Sequence, residues 1–200
     1  MKTLLRAGCF IASAFLASSS YAQFGGLLSG GGGGGASPES IVKNYVGGAK
    51  DVLGAQGKLL EAIGKKDEAA RATLQADNLT EGATKQNIED ATKTQTDNSK
   101  LLEESLKAQG TVLDGAAKVV YAQGLGLLGR GTTKYLALAR DVKGFKPGIT
   151  SIGAAVQSAV YVAQSLPSNM STFSSTLSSA IEFGKAQGVE IPADATAALK

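Results

Sequence analysis

The chain has 200 residues with no His, no Trp and one Cys, so Ser-His and Cys-His nucleophiles and His/Cys metal sites have nothing to be built from. Its 20 basic and 17 acidic side chains are intermixed and the first 22 residues hold two of the positives, which leaves a near-neutral remainder without the basic footprint of nucleic-acid binding. The length suits one domain or a small pair, and the catalytic chemistry left open is that of carboxylate, Lys, Tyr or hydroxyl.

At the N-terminus, Lys2 and Arg6 precede an apolar stretch from Cys9 to Ala17, and Ser20-Tyr21-Ala22 fits the small-x-small rule. These are the three zones of a secretory signal peptide, residues 1–22, with cleavage predicted after Ala22 and export to the periplasm or the medium. A membrane anchor fits less well, because the apolar stretch falls short of the roughly 20 residues a spanning helix needs. Cys9 lies ahead of the apolar core rather than behind it, where a lipid-attachment Cys would sit. Residues 23–37 form a leader dominated by six consecutive glycines, Gly30 to Gly35, which offer nothing to bury and predict a disordered tether. Phe24, Leu27 and Leu28 at its free end are a candidate docking peptide.

Ser37-Pro38-Glu39 reads as a helix start, with a capping hydroxyl, a proline at the first helical position and an acid at the positive end of the dipole. Apolar residues then recur with helical spacing from Val42 to Ile63, and Gly64-Lys65-Lys66 closes this first helix. From Glu68 to about Gln123 there is no proline and little glycine, which predicts one long charged helix, or two if the chain breaks near Asn78. Five Glu residues are followed four positions on by Lys: Glu39/Lys43, Glu61/Lys65, Glu81/Lys85, Glu89/Lys93 and Glu103/Lys107. That orientation stabilises a helix by about 0.2–0.5 kcal/mol per pair. A seam of Ile88, Ala91, Gln95, Asn98, Leu102, Leu106, Gln109 and Leu113 runs through the region with two polar members at its centre. Ile88, Leu102, Leu106 and Leu113 are therefore candidate partner-seam residues, in a coiled coil whose polar members set register or in an arm that touches the body at its ends.

The chain then loses its charge. Between Lys146 and Glu182 lie 35 uncharged residues. Ile149, Ile152, Val156, Val160 and Ala163, then Met170, Phe173, Leu177, Ile181 and Gly184, give one apolar stripe on each side of Leu166-Pro167-Ser168-Asn169. This predicts a helical hairpin over 147–181, its stripe either core or membrane-facing. Arg130, Lys134, Arg140, Lys143 and Lys146, opposed only by Asp141, make the preceding segment 130–146 basic. A basic helix beside an apolar hairpin could lie on an anionic membrane, although solvated charges over an ordinary core account for the same pattern.

Gly124-Leu125-Gly126-Leu127-Leu128-Gly129 matches the dinucleotide-binding pattern, but no alternating strands surround it, so a glycine-weakened hinge that lets backbones approach closely is the better reading. Adjacent acids such as Glu89/Asp90 and Glu103/Glu104 point to different helix faces and form no acid-base pair. Asn78-Leu79-Thr80 and Asn169-Met170-Ser171 fit the glycosylation pattern. A last short helix is expected after Pro192. Taken together, residues 38–200 predict an all-α antiparallel bundle of about five or six helices. The expected function is that of an exported, non-enzymatic helical protein acting through protein–protein contact in the cell envelope or outside it, with no cofactor and no metal. Its expected partner is an envelope or secreted protein, with self-association open; the alternative is a lipid-binding bundle at a membrane surface.

Overall fold

The computed structural model describes residues 36–108, 110–146 and 153–200. Residues 1–22, expected to form a signal peptide, the leader up to residue 35, Gln109, and residues 147–152 with Ile149 and Ile152 lie outside the described residues. Helix α1 (Pro38–Ala62) starts as its sequence directs: the Ser37 hydroxyl accepts the Ser40 amide at 3.2 Å and Pro38 takes the first helical position. It ends in a Schellman turn. Gly64 adopts φ 82°, the Lys65 amide donates to the Leu60 carbonyl at 2.8 Å and the Gly64 amide to Glu61 at 3.0 Å. Only glycine enters that left-handed region without steric cost, so the chain reverses at once into α2 (Lys66–Asn78).

The charged segment is broken twice, into α2, α3 (Lys85–Lys107) and α4 (Gly115–Lys143), so no single helix spans 68 to 123. At the first break Thr84 and Asn87 form a reciprocal capping box, and buried Leu79 and Ala83 pin the connection to the core. At the second, Gly110 takes φ 100° and Asp114 caps α4 by accepting the Ala117 amide at 2.8 Å. Gln187 clamps that loop from the far end of the chain: its Oε1 accepts from the Leu113 amide at 3.2 Å and its Nε2 donates to the Thr111 carbonyl at 3.3 Å. None of the five Glu-before-Lys pairs closes as an ion pair among the described residues. On α3 the pairs run the other way, Lys85 to Glu89 at 3.2 Å and Lys93 to Asp97 at 2.6 Å, while Lys43 reaches Glu81 across helices at 3.1 Å. Exposed pairs contribute only about 0.2–1 kcal/mol each, so side-chain packing decides which of them form.

The uncharged segment is not a hairpin. Helix α5 runs unbroken from Ala154 to Ala186 with Pro167 inside it. An interior proline removes a backbone donor and costs roughly 3 kcal/mol, but the burial around it outweighs that cost. Val162, Leu166, Asn169, Phe173, Leu177 and Ala180 are all buried, at steps of three or four on both sides of the proline, while Pro167 itself faces outward. One stripe therefore faces one core, and a turn at Pro167 would withdraw half of it. Helix α6 (Ala193–Ala197) follows Pro192 as expected.

Cross-helix contacts fix the directions. Tyr45 meets Tyr135 at a tilt with ring centroids 5.5 Å apart, and a side chain at Gly131 or Gly124 would meet Val52 or Leu59, so α1 and α4 are antiparallel. Tyr45 meets Thr92 and Gln56 meets Ser99, so α1 and α3 are parallel. Ser158 meets Ala83 and Thr176 meets Glu103, which sets α5 parallel to α3. The described residues belong to one compact unit, Gly33–Lys200, with α1 at its centre against α2, α3, α4 and α5. Helix α2 sits at the edge, packed on α1 and α3 through Ala69, Ala72 and Ala76.

Candidate functional site

The seam on α3 belongs to the interior of the bundle. Ile88 and Leu102 are fully buried, Leu113 is buried in the α3–α4 loop, and Leu106 packs against the same core. The polar members explain why no partner is needed to satisfy the seam. Gln56 on α1 donates its Nε2 to the Gln95 carbonyl at 2.7 Å and to Ser99 Oγ at 3.0 Å, and its Oε1 accepts from Asn98 Nδ2 at 3.4 Å. Gln95 Nε2 donates to the Ala49 carbonyl at 3.2 Å, and the Tyr135 hydroxyl lies 3.2–3.3 Å from both amide atoms of Gln95. Tyr45 and Thr92 share a hydroxyl contact of 2.7 Å. A buried network of this kind fixes the register of α1 on α3, since a shift by one residue would leave several groups unpartnered at about 1–3 kcal/mol each.

The tyrosines at this core are held neutral. Burial pushes the Tyr45 phenol up to about 12 despite its hydrogen bond to Thr92, and it raises Tyr121 and Tyr135 well above the usual tyrosine range. Tyr121 donates to the Ala180 carbonyl at 3.0 Å, and Tyr135 stacks on Phe173 at 5.4 Å, so these rings tie α4 to α5. A raised phenol buried this way is a poor base or nucleophile near neutral pH.

The basic segment does not form one basic face. Arg130 and Lys134, four residues apart, flank Asp51 of α1, with nitrogens 3.7 and 2.7 Å from its carboxylate oxygens. Lys134 also donates to the Gly47 carbonyl at 3.3 Å, and its approach to Asp51 is an ion pair without hydrogen-bond alignment. Two turns beyond Lys134 that same face presents Asp141, which accepts from Asn44 at 3.4 Å. Arg140 and Lys143 sit in the last turn of α4, where they complement the helix dipole, and Lys146 is exposed beyond it. The 3.6-residue period divides a run that looks continuous in sequence.

The stripe of α5 divides similarly. Phe173, Leu177 and Ile181 are core, and Met170 is packed against it. Val156 and Val160 are only half-buried and line a shallow depression of about 310 Å³ with Lys85 and Tyr161. Membrane contact through this stripe would require the second half to leave the core. Among the described residues, no helix is long and apolar enough to cross a membrane.

Of the remaining motifs, Gly124 to Gly129 lies in the middle of α4 and is no hinge. Gly124, Gly129 and Gly131 instead admit Leu59 and Ala55, the backbone of Asp194 and Ala195, and Val52 and Gly48 respectively. Glu103 accepts from Thr176 at 3.0 Å and Asp90 accepts from Gln86 at 2.9 Å, so the paired acids are spread over structural bonds. Asn78 is exposed, whereas Asn169 is buried with its Nδ2 unpartnered and cannot be reached by a glycosylating enzyme in the folded chain.

Leu74, Val112, Val119 and Leu199 are large apolar side chains left exposed, and of these Leu74 marks a surface that the sequence pattern did not single out, the outer side of α2. Leu74 is 60% exposed and stands as a crest between two grooves. One, of about 780 Å³, is lined by Gly54 and Gly57 of α1, Ala70, Thr73 and Asp77 of α2, and Leu127 of α4. The other, of about 450 Å³, runs between α2 and α3 past Arg71, Gln75, Thr94 and Leu101. Its only sequence signal was an isolated Leu at the outward position of a short, Ala-rich helix. Comparison with protein-family models, with curated proteins and with solved structures finds no match to this chain.

Proposed function

We propose that this chain is an exported, non-enzymatic helical protein, periplasmic or extracellular, that works through protein–protein contact, and that α2 with its flanking grooves is the contact surface. The observation that carries this reading is Leu74, a large apolar side chain 60% exposed between two grooves on an edge helix. An apolar crest over small-residue walls is the form of a helix-docking surface, where one anchor residue supplies most of the affinity. The α3 seam is satisfied internally and leaves this surface as the better candidate.

The test is a photo-reactive residue introduced at position 74 of the full chain in its own cells, with the same residue at exposed Lys100 of α3 as control. A defined cross-linked product from position 74 and none from position 100 supports the reading. No product from position 74 removes it. Export is read separately from the mass of the extracted protein, which should begin at Gln23.

A further inference from the structure

The identity of the partner follows from the charge order along α2, given the reading above that α2 carries the contact. We propose that the partner is a second copy of this chain, and that two α2 helices pack antiparallel about a two-fold axis. Of the α2 residues that line the larger groove, Lys66, Ala70, Thr73 and Asp77 recur at steps of four, three and four, the spacing of one helix face, with Ala69 and Leu74 beside them. That order reads the same from either end about a midpoint between residues 71 and 72. Laid antiparallel on itself, the face sets Lys66 against Asp77 of the second copy at one end, and the reciprocal pair at the other. Ala70 meets Thr73 of the second copy in the middle, where two small side chains permit close approach. Leu74 comes level with Ala69 of the second copy, both of which border the same groove.

The charges at the two ends are available for this. Neither Lys66 nor Asp77 has an ion-pair partner within 4.0 Å among the described residues, although other exposed charges of this chain do pair. A two-fold interface is self-complementary, so each contact occurs twice and the two ends of the contacting face must bear opposite signs, as Lys66 and Asp77 do; Asp67 and Glu68 of the first turn lie at other angles around the helix, and Glu68 pairs with Arg71. A foreign partner would impose no such relation between positions 66 and 77. The parallel arrangement would bring Lys66 against Lys66 and Asp77 against Asp77, and electrostatics rejects it.

Sedimentation equilibrium of the full chain over a range of concentrations tests the proposal, with circular dichroism confirming that each variant is folded. The expected result is a reversible dimer. Lys66→Asp should weaken it about tenfold by replacing two attractions with two repulsions, and Lys66→Asp combined with Asp77→Lys should restore it. Leu74→Glu should abolish it. All three positions are exposed, so the fold tolerates these changes. A chain that stays monomeric up to about millimolar concentration overturns the proposal, as does a dimer indifferent to all of these substitutions. Cross-linking from position 74 separates the two levels. A product with the mass of a heterologous protein from a monomeric chain ends self-pairing and leaves α2 as the contact surface, whereas no product at all ends both.

Discussion

Gly131 and Gly47 lie on the facing helices α4 and α1, and replacing each by alanine should move stability in opposite directions. Alanine in a helix interior gains about 0.5–1 kcal/mol over glycine from backbone entropy alone. At Gly47 the added methyl meets nothing within 4 Å, so Gly47→Ala should keep that gain. At Gly131 it would lie 2.7 Å from Val52 Cγ2, 3.0 Å from the Val52 amide nitrogen and 3.2 Å from the Gly48 carbonyl oxygen. Val52 is β-branched and fully buried and two of the three atoms are backbone, so relief requires α1 and α4 to separate. Overpacking of this kind costs roughly 1–3 kcal/mol, which after the propensity gain leaves Gly131→Ala about 1–2 kcal/mol less stable. In a domain of this size the expected shifts in Tm are roughly 1–4 °C upward for Gly47→Ala and roughly 2–8 °C downward for Gly131→Ala. Thermal denaturation followed at 222 nm measures both. Shifts of the same sign would refute the close α1–α4 approach.

Pro167→Ala should raise stability by about 1–3 kcal/mol, because the proline sits in the interior of a continuous helix; a loss in urea denaturation would point to a turn at that position. Gln56→Met keeps the volume but leaves Ser99 Oγ and Asn98 Nδ2 without this partner and takes the second donor from the Gln95 carbonyl, and should cost roughly 2–4 kcal/mol, whereas a change under about half a kilocalorie would mean the network does not hold α1 on α3. The buried tyrosines bind their protons more tightly folded than unfolded, so their contribution is complete below pH 10 and is lost as pH rises toward the folded value, about 12 for Tyr45. That residue alone accounts for about 3 kcal/mol. The phenols of Tyr45, Tyr121 and Tyr135, followed at 295 nm, should therefore ionise together with helix loss in this window, and ionisation of all three near pH 10 without unfolding would contradict the burial.

The all-α fold was legible because its signals are local. Ser37-Pro38 fixed the start of α1, Gly64 its end and Pro192 the position of α6, each through backbone chemistry that needs no knowledge of neighbours. The breaks of the charged segment were partly legible in Thr84 and Asp114, which are good caps, and were obscured by a charge pattern that continues across them. Pro167 misled because local propensity favours a turn there, while the stripe from Val162 to Ala180 gains more by staying in register with one core. Ile88, Ala91, Gln95, Asn98 and Leu102 of the seam share the buried face of α3 while Leu113 falls in the loop beyond it, and periodicity does not tell an internal partner from an external one. Gln56 and Tyr135, which satisfy it, lie 39 and 40 residues from Gln95 in opposite directions. Leu74 was illegible as a surface because exposure is a property of the packed bundle and not of the residue.

The most direct measurement of the α2 pairing uses single cysteines in a Cys9→Ser background. Chains carrying Ala70→Cys are mixed with tagged chains carrying Thr73→Cys and oxidised gently. Antiparallel pairing about the midpoint of α2 sets these two positions opposite each other, so the mixed disulfide should form in preference to either homodimer. Equal formation of all three species, or none, would contradict it.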